Sequence, residues 1–313
     1  MIVTVTPNPV LDRTLTVPRI IFNEMTRATS SRLDWGGKGF NVSRALQALG
    51  TESVAMGFVG GATGRMLEQG LSDVGIATDF VRIVGETRTN IVITDANAER
   101  YVKVNEAGPT VQAEELAAFI ERVRERVRPG DVWVLSGSLP PGVPSDFYAQ
   151  LVALVQAKGA KALLDASGEA LRLGCAASPY LVKPNAVEAE EVTGQKISSD
   201  ADMFSAAEYF LRQGIKLVAL SLGADGLLLA SEQRAVWARP PDVQARNPVG
   251  AGDALLAGIA WALARELPLE GIARWGVASG TAAAAREGVS AGTRAQVEAL
   301  YKQVQIDRVQ GGS

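Results

Sequence analysis

What most constrains this chain is an alternation. Short apolar, β-branched runs recur at Ile2–Val5, Ser53–Val59, Val132–Leu135, Ala160–Leu164, Tyr180–Val182 and Leu217–Leu220. Most are apolar at consecutive positions, as strands covered on both faces are. Between them lie segments with three-to-four-residue apolar spacing: Glu114–Val127, Asp146–Lys158, Asp202–Gln213 and Asp253–Arg265. Strand and helix in turn predict an α/β protein, a three-layer α/β/α arrangement around one mostly parallel sheet. The 313 residues suffice for one large α/β domain or two ordinary ones, and the expectation is a single domain, 1–313.

Two segments break the rhythm. Thr14–Asp34 and Arg88–Asn105 are strand-like with no helix beside them. Thr89–Thr94 and Arg100–Val104 predict a hairpin with Ala96-Asn97-Ala98 near its turn. The two segments, approximately 14–34 and 88–105, read as a small β-layer, either a lid or an edge extension without function. The tail after Ile306 is polar and glycine-rich and is expected to fray.

The residues that are missing exclude whole chemistries. With no histidine there is no Ser-His-Asp triad, no Cys-His pair and no His-x-x-x-His zinc site. Acid–base work falls to Asp, Glu, Lys, Tyr or Cys, and a metal would be held by oxygen, which favours Mg²⁺. Cys175 is alone, so no intrachain disulfide or cysteine cluster can form. A formal net charge of −3 gives no basic surplus for nucleic acid or an anionic membrane. The start lacks the charged and long apolar regions of a signal peptide, and the longest apolar stretch, Ala254–Ala264, is too short to span a bilayer. The expectation is a cytoplasmic enzyme with no nucleic-acid or membrane partner.

Three motifs carry chemistry. In Asn247-Pro-Val-Gly250-Ala251-Gly252-Asp253, glycines open onto an apolar helix, where backbone N–H groups and the helix end suit a phosphate. Asp253 beside such a phosphate either takes the proton of an attacking hydroxyl or simply caps the helix. The stretch is neither a P-loop nor a dinucleotide fingerprint, since Leu255 stands where a third glycine would be. The second motif is Gly36-Gly37-Lys38-Gly39-Phe40-Asn41. It is either a close-approach site, with Lys38 and Asn41 as donors to sugar hydroxyls or a phosphate, or only a tight turn. The third, Lys183-Pro184-Asn185-Ala-Val-Glu188, directly follows a strand, where open α/β sheets bind ligands. Lys183 would reach a phosphate, and Asn185 and Glu188 would hold hydrated Mg²⁺; the plainer reading of Glu188 is a first-turn helix carboxylate.

In this order the three motifs resemble the PfkB (ribokinase-like) carbohydrate kinases, over nearly the whole chain. Ser136-Gly-Ser-Leu-Pro-Pro-Gly142, Asp165-Ala-Ser-Gly-Glu-Ala170, Ser221-Leu-Gly-Ala-Asp-Gly226 and Gly276-Val-Ala-Ser-Gly280 add to the likeness. Thr4-Val-Thr-Pro-Asn-Pro-Val-Leu-Asp12 and Gly85-Glu-Thr-Arg-Thr-Asn90 resemble the branch of 1-phosphofructokinase, tagatose-6-phosphate kinase and the minor 6-phosphofructokinase. Pro248 departs from the family's usual Ser or Thr. The resemblance implies a ribokinase-like fold with a β-sheet lid and ATP-dependent phosphorylation of a phosphorylated ketohexose, fructose 1-phosphate first. Tagatose 6-phosphate and fructose 6-phosphate are the alternatives, and a non-catalytic nucleotide-binding regulator is the alternative of another class. It further implies Asp253 as base, with Gly250, Ala251 and Gly252 as anion hole. Asp12, Gly37 and Asn41 would bind sugar hydroxyls, and Lys38, Arg88, Arg27 and Lys103 would surround the substrate's phosphate. Lys183, Asn185, Ser221, Gly223 and Gly226 would line the ATP site, Glu188 would place Mg²⁺, and a homodimer would form through the lid.

Overall fold

The computed structural model describes residues 1–97, 100–286 and 291–309. The first half contains β1 (Ile2–Thr6), β2 (Val10–Val17), β3 (Ser30–Gly36), α1 (Lys38–Ala48), β4 (Val54–Gly60) and α2 (Gly61–Asp73). It continues with β5 (Ala77–Thr78), β6 (Val81–Ile83), β7 (Arg88–Asp95), β8 (Tyr101–Val104) and α3 (Ala113–Arg126). Next come β9 (Val132–Ser136), α4 (Phe147–Ala157), β10 (Lys161–Asp165), α5 (Gly168–Ala176), β11 (Leu181–Val182), α6 (Ala186–Thr193), α7 (Asp200–Arg212) and β12 (Leu217–Ser221). The chain closes with β13 (Leu227–Ser231), β14 (Ala235–Arg239), α8 (Ala251–Leu263), α9 (Leu269–Ala284), α10 (Arg294–Tyr301) and β15 (Gln305–Val309).

The large sheet runs β15-β14-β13-β12-β11-β10-β9-β1-β4-β5, with β6 on the far end of β4. It is parallel from β12 to β5 and antiparallel from β12 to β15. Successive side chains enter opposite cores, as the two-residue strand period requires. Val132 and Val134 join α1, α8, α9 and α10 on one face. Trp133 and Leu135 join α3, α4, α5, α6 and α7 on the other. The expected three-layer α/β/α architecture is therefore what forms. Helix α8 is apolar nearly all round and is buried from Asp253 to Leu263, with Trp261 stacked 4.2 Å from Trp275 of α9. Among the described residues, no helix is long and apolar enough to cross a membrane.

A second sheet of four strands, ordered β3-β2-β7-β8, stands apart from the first. The hairpin expected at Thr89–Thr94 and Arg100–Val104 is its β7–β8 pair; Ala98, placed near the turn, lies outside the described residues. The sheet begins earlier than the pattern suggested, at Val10 rather than Thr14, so Asp12 is part of it. Helix α2 ties it to the body, since Trp35 of β3 occupies the space that a side chain at Gly70 would need. The tail also departs from expectation. After Ile306 the chain continues as β15 as far as Val309, paired with β14, and Arg239 Nε lies 2.9 Å from Asp307 Oδ2; the rest of the tail expected to fray, 310–313, lies outside the described residues. Polar residues suit an edge strand, which is why composition alone suggested no structure there.

Candidate active site

The parallel strands end together. Thr6, Ser136, Asp165, Val182 and Ser221 close β1, β9, β10, β11 and β12 on one side of the sheet, where an open α/β sheet holds its ligands. Most of the residues singled out by sequence fall into three groups, two on this side and one on the small sheet; no side-chain hydrogen bond or ion pair among the described residues joins Arg27 or Lys103 to the rest.

The first is the entrance to α8. Gly250 adopts the left-handed conformation, φ 82°, which turns the chain so that the N–H groups of the first helical turn are open at the helix end. Asp253, on that turn, is only 7% exposed. Asn41 Nδ2 donates to its Oδ2 at 2.8 Å, so α1 locks the carboxylate's orientation. Burial, and then the neighbouring Asp165, push its pKa up to about 6, against the opposing pull of Asn41, Lys38 and Lys183. A carboxylate of that kind is suited to take up a proton near neutral pH.

Two lysines meet at Asp165, a residue sequence reading quoted in a motif without assigning it a task. Lys38 Nζ donates to Asp165 Oδ1 at 3.1 Å, and Lys183 Nζ lies 3.3 Å from the same oxygen. Lys183 is buried, and its ammonium is 3.8 Å from where a Cβ on Gly252 would stand. Burial pulls the Lys38 pKa down, but Asp165, Glu188 and Asp253 together leave it raised. Asn185 and Glu188 form a reciprocal cap on α6: Glu188 N donates to Asn185 Oδ1 and Asn185 N to Glu188 Oε2, both at 2.9 Å. Beyond them opens a cleft of about 640 Å³ lined by Asn185, Val187, Ser221, Leu222, Gly223 and Trp237, among others. Ser221 N donates to Pro184 O at 3.0 Å, which joins the Lys183–Asn185 run to β12. Gly226, φ 95°, turns the chain into β13 so closely that any side chain would strike the Ala238 carbonyl.

The third group belongs to the small sheet. Asp12 of β2 faces Asn90 of β7 in register, and Asn90 Nδ2 donates to Asp12 Oδ1 at 2.9 Å. Gly37, φ 136°, could carry a Cβ only within 2.6 Å of Thr6 Cγ2, so its backbone stays bare. Arg88 is half-buried and donates to the carbonyls of Glu106 (3.1 Å) and Asn8 (2.9 Å), while its buried Nε has no partner among the described residues. Burial lowers its pKa, against Asp12 and Glu106. Arg27 and Lys103 are exposed, Arg27 on the loop between β2 and β3 and Lys103 on β8. Of the four cations expected around a substrate phosphate, Lys38 is therefore drawn to Asp165 and the other three belong to the small sheet and its loop. The Oδ1 atoms of Asn41 and Asn90 are buried acceptors without partners among the described residues. Each sits beside a carboxylate of the site, a combination that suits the O–H donors of a polyol.

Sequence reading missed Asp165, Asn90, Trp237 and Arg44. Arg44 stands one turn beyond Asn41 on α1, where burial lowers its pKa against Asp34 and Asp12. Position was the available signal: Asp165 ends a strand, and Arg44 follows Asn41 by three on a helix. Cys175 is buried, and burial pushes its thiol up to about 12, so it has no part in this chemistry.

Comparison with known proteins identifies the family. The model of the pfkB family carbohydrate kinases matches residues 8–296. The chain is similar to the 1-phosphofructokinase of Bacillus subtilis (strain 168), 35% identical over 99% of this chain and 100% of the relative. It is also similar to the 1-phosphofructokinase of Xanthomonas campestris, 38% identical over 83% of each. Among solved structures, phosphofructokinase-2 from Escherichia coli in complex with potassium superposes with a TM-score of 0.92 at 32% identity, over 96% of this chain and 98% of that one. The fold is ribokinase-like, and the chain belongs to the pfkB family of carbohydrate kinases.

Proposed function

We propose that this kinase transfers the γ-phosphoryl group of ATP to a hydroxyl of a phosphorylated ketohexose, with fructose 1-phosphate as the first choice and tagatose 6-phosphate or fructose 6-phosphate as alternatives. The observation that carries the reading is Asp253, buried behind Asn41 at a glycine-opened helix end beside the Asp165-paired lysines. In this reading Asp253 accepts the proton of the attacking hydroxyl. The N–H groups of Ala251, Gly252 and Asp253, opened by the turn at Gly250, stabilise the charge on the transferred group. Lys183 stands behind the phosphates, and Asn185, Ser221, Gly223 and Gly226 form the nucleotide wall. Asp12, Gly37 and Asn41 take the sugar's hydroxyls; Arg88, with Arg27 and Lys103, takes its phosphate.

Mg²⁺ would neutralise the β- and γ-phosphates. The described residues hold no group of three or more carboxylates that could cage a metal. A single oxygen donor such as Glu188 fits an ion carried mainly by phosphates and water. We read 1–313 as one kinase domain with the small sheet as its lid. That sheet and its loop expose Phe22 (78%), Met25 (87%) and Tyr101 (70%), apolar area that supports a homodimer through the lid. Phe22→Ser with Met25→Ser should give monomers in sedimentation; an unchanged assembly would reject that interface. A reducing, ATP-supplied compartment, the cytoplasm, suits a protein with one buried thiol.

ADP release from Mg-ATP should be measured with the three sugar phosphates and with fructose and ribose. Fructose 1-phosphate should exceed the others by about 100-fold in kcat/KM. Preference for an unphosphorylated sugar would remove the phosphate role of Arg88, and ATP binding with no turnover on any of the five would favour a nucleotide-binding regulator.

A further inference from the structure

Asp165 carries more than its share of this centre. It ends β10 at 1% exposure, with its carbonyl fixed by Gly137 N at 3.1 Å and its strand in register with β9 at Ser136. One oxygen, Oδ1, meets both Lys38 and Lys183. Two cations thus share one carboxylate oxygen, with Asp253 and Glu188 as the further carboxylates acting on Lys38. Lys183 needs a counter-charge because it is buried. Lys38 does not: its side chain is 40% exposed and water could solvate it. Drawing that long, flexible side chain inward costs rotamer freedom for no evident gain in folding. A strand-end carboxylate is a rigid mount, whereas a free lysine is a point charge on a loose stem.

We propose that Asp165 is a positioning residue. Its carboxylate holds the Lys38 and Lys183 ammonium groups side by side near the Gly250–Asp253 turn, so that both meet the phosphoryl group that turn receives. The proposal rests on the kinase reading above and gives Lys38 a different task from gripping the phosphate already on the sugar.

Kinetics and labelling test it separately. Asp165→Asn keeps the shape and removes the charge, and should lower kcat by about 100-fold, the scale of a misplaced catalytic group. In a Lys38→Gln/Lys183→Gln background the same change should cost less than about threefold more. An equal loss in both backgrounds would overturn the proposal, because Asp165 would then act without the lysines. Lys38→Gln, at a half-exposed side chain that does not threaten folding, should lower kcat with the sugar-phosphate KM moving less than about threefold. A change confined to that KM would also overturn it. Competitive amine acylation read by mass spectrometry needs no turnover. Relative to exposed Lys158, Lys38 should react about tenfold faster in Asp165→Asn than in wild type, as its neutral fraction rises. Unchanged labelling refutes the clamp even if the wild-type protein phosphorylates none of the sugars, an outcome that would itself sink only the kinase reading.

Discussion

Asp253 and Asp12 are both carboxylates of the proposed site, yet they are held in opposite ways. Asp253 is sealed at 7% exposure on a helix in the main core, among Asn41, Lys38, Lys183 and Asp165. Asp12 is half-buried on a four-stranded sheet whose outer positions include exposed Tyr101, Val102 and Val104. The difference is one of reorganisation. A group that must meet charge as it develops benefits from being fixed beforehand in a dry setting. A group that recognises a ligand can stay partly wet until something covers it. In the proposed reading the large sheet carries the chemistry and the small sheet the recognition, so variants on the two sides should fail in different kinetic constants.

The largest effect belongs to the large sheet. Asp253→Asn should lower kcat by about 10³-fold or more while ATP affinity stays near wild type. Turnover close to wild type would remove the base assignment and leave Asp253 as a buried first-turn carboxylate held by Asn41, since Gly250 and not Asp253 is the N-cap of α8. On the other side, Arg88→Ala should raise KM for the sugar phosphate by about 30-fold with a smaller change in kcat, since a charge-assisted contact made before and during transfer is lost. A pure kcat defect in Arg88→Ala would erase the contrast between the two sheets.

A subtler variant sharpens it. A Cβ on Gly36 would collide with Asp12 Oδ2 and come within 2.7 Å of Val10 Cγ1. Gly36→Ala should therefore push Asp12 aside and raise the sugar-phosphate KM by about fivefold, leaving ATP KM unchanged. If ATP binding weakened as well, the two sheets would be coupled more tightly than their separate hydrogen-bond networks imply.

The same contrast explains what the sequence revealed. The large sheet was legible because strands covered on both faces must be continuously apolar, and Val132–Leu135 and Leu217–Leu220 could hardly be anything else. The glycine-opened entrance of α8 was legible because a left-handed turn before an apolar helix leaves its mark in residue type. The antiparallel strands β13, β14 and β15 were not, since Leu227–Ser231 follows β12 without a helix and Gln305–Val309 is mostly polar. Nor was the meeting of Lys38, Lys183 and Asp165, which lie far apart in sequence and come together only through strand order. Local pattern reports which residues are unusual, while the pairing of charges is a property of topology.

The smallest effect is the most direct reading of the buried side. Folding raises the Asp253 pKa from the usual carboxylate range to about 6 because burial disfavours the ionised form. If ionised Asp253 is the base, kcat should fall on the acid side with half its value near pH 6, about a twofold loss relative to pH 8. The same shift fixes the sign for stability. Between the ordinary carboxylate pKa and about 6 the folded chain binds more protons than the unfolded one, so stability falls as pH rises through that window. Asp253→Asn has no charge to bury and should gain Tm over wild type at pH 8 but little at pH 4. An activity profile flat to pH 5, together with no pH-dependent gain in Asp253→Asn, would show a carboxylate already solvated in the working enzyme and would remove the distinction between the two walls.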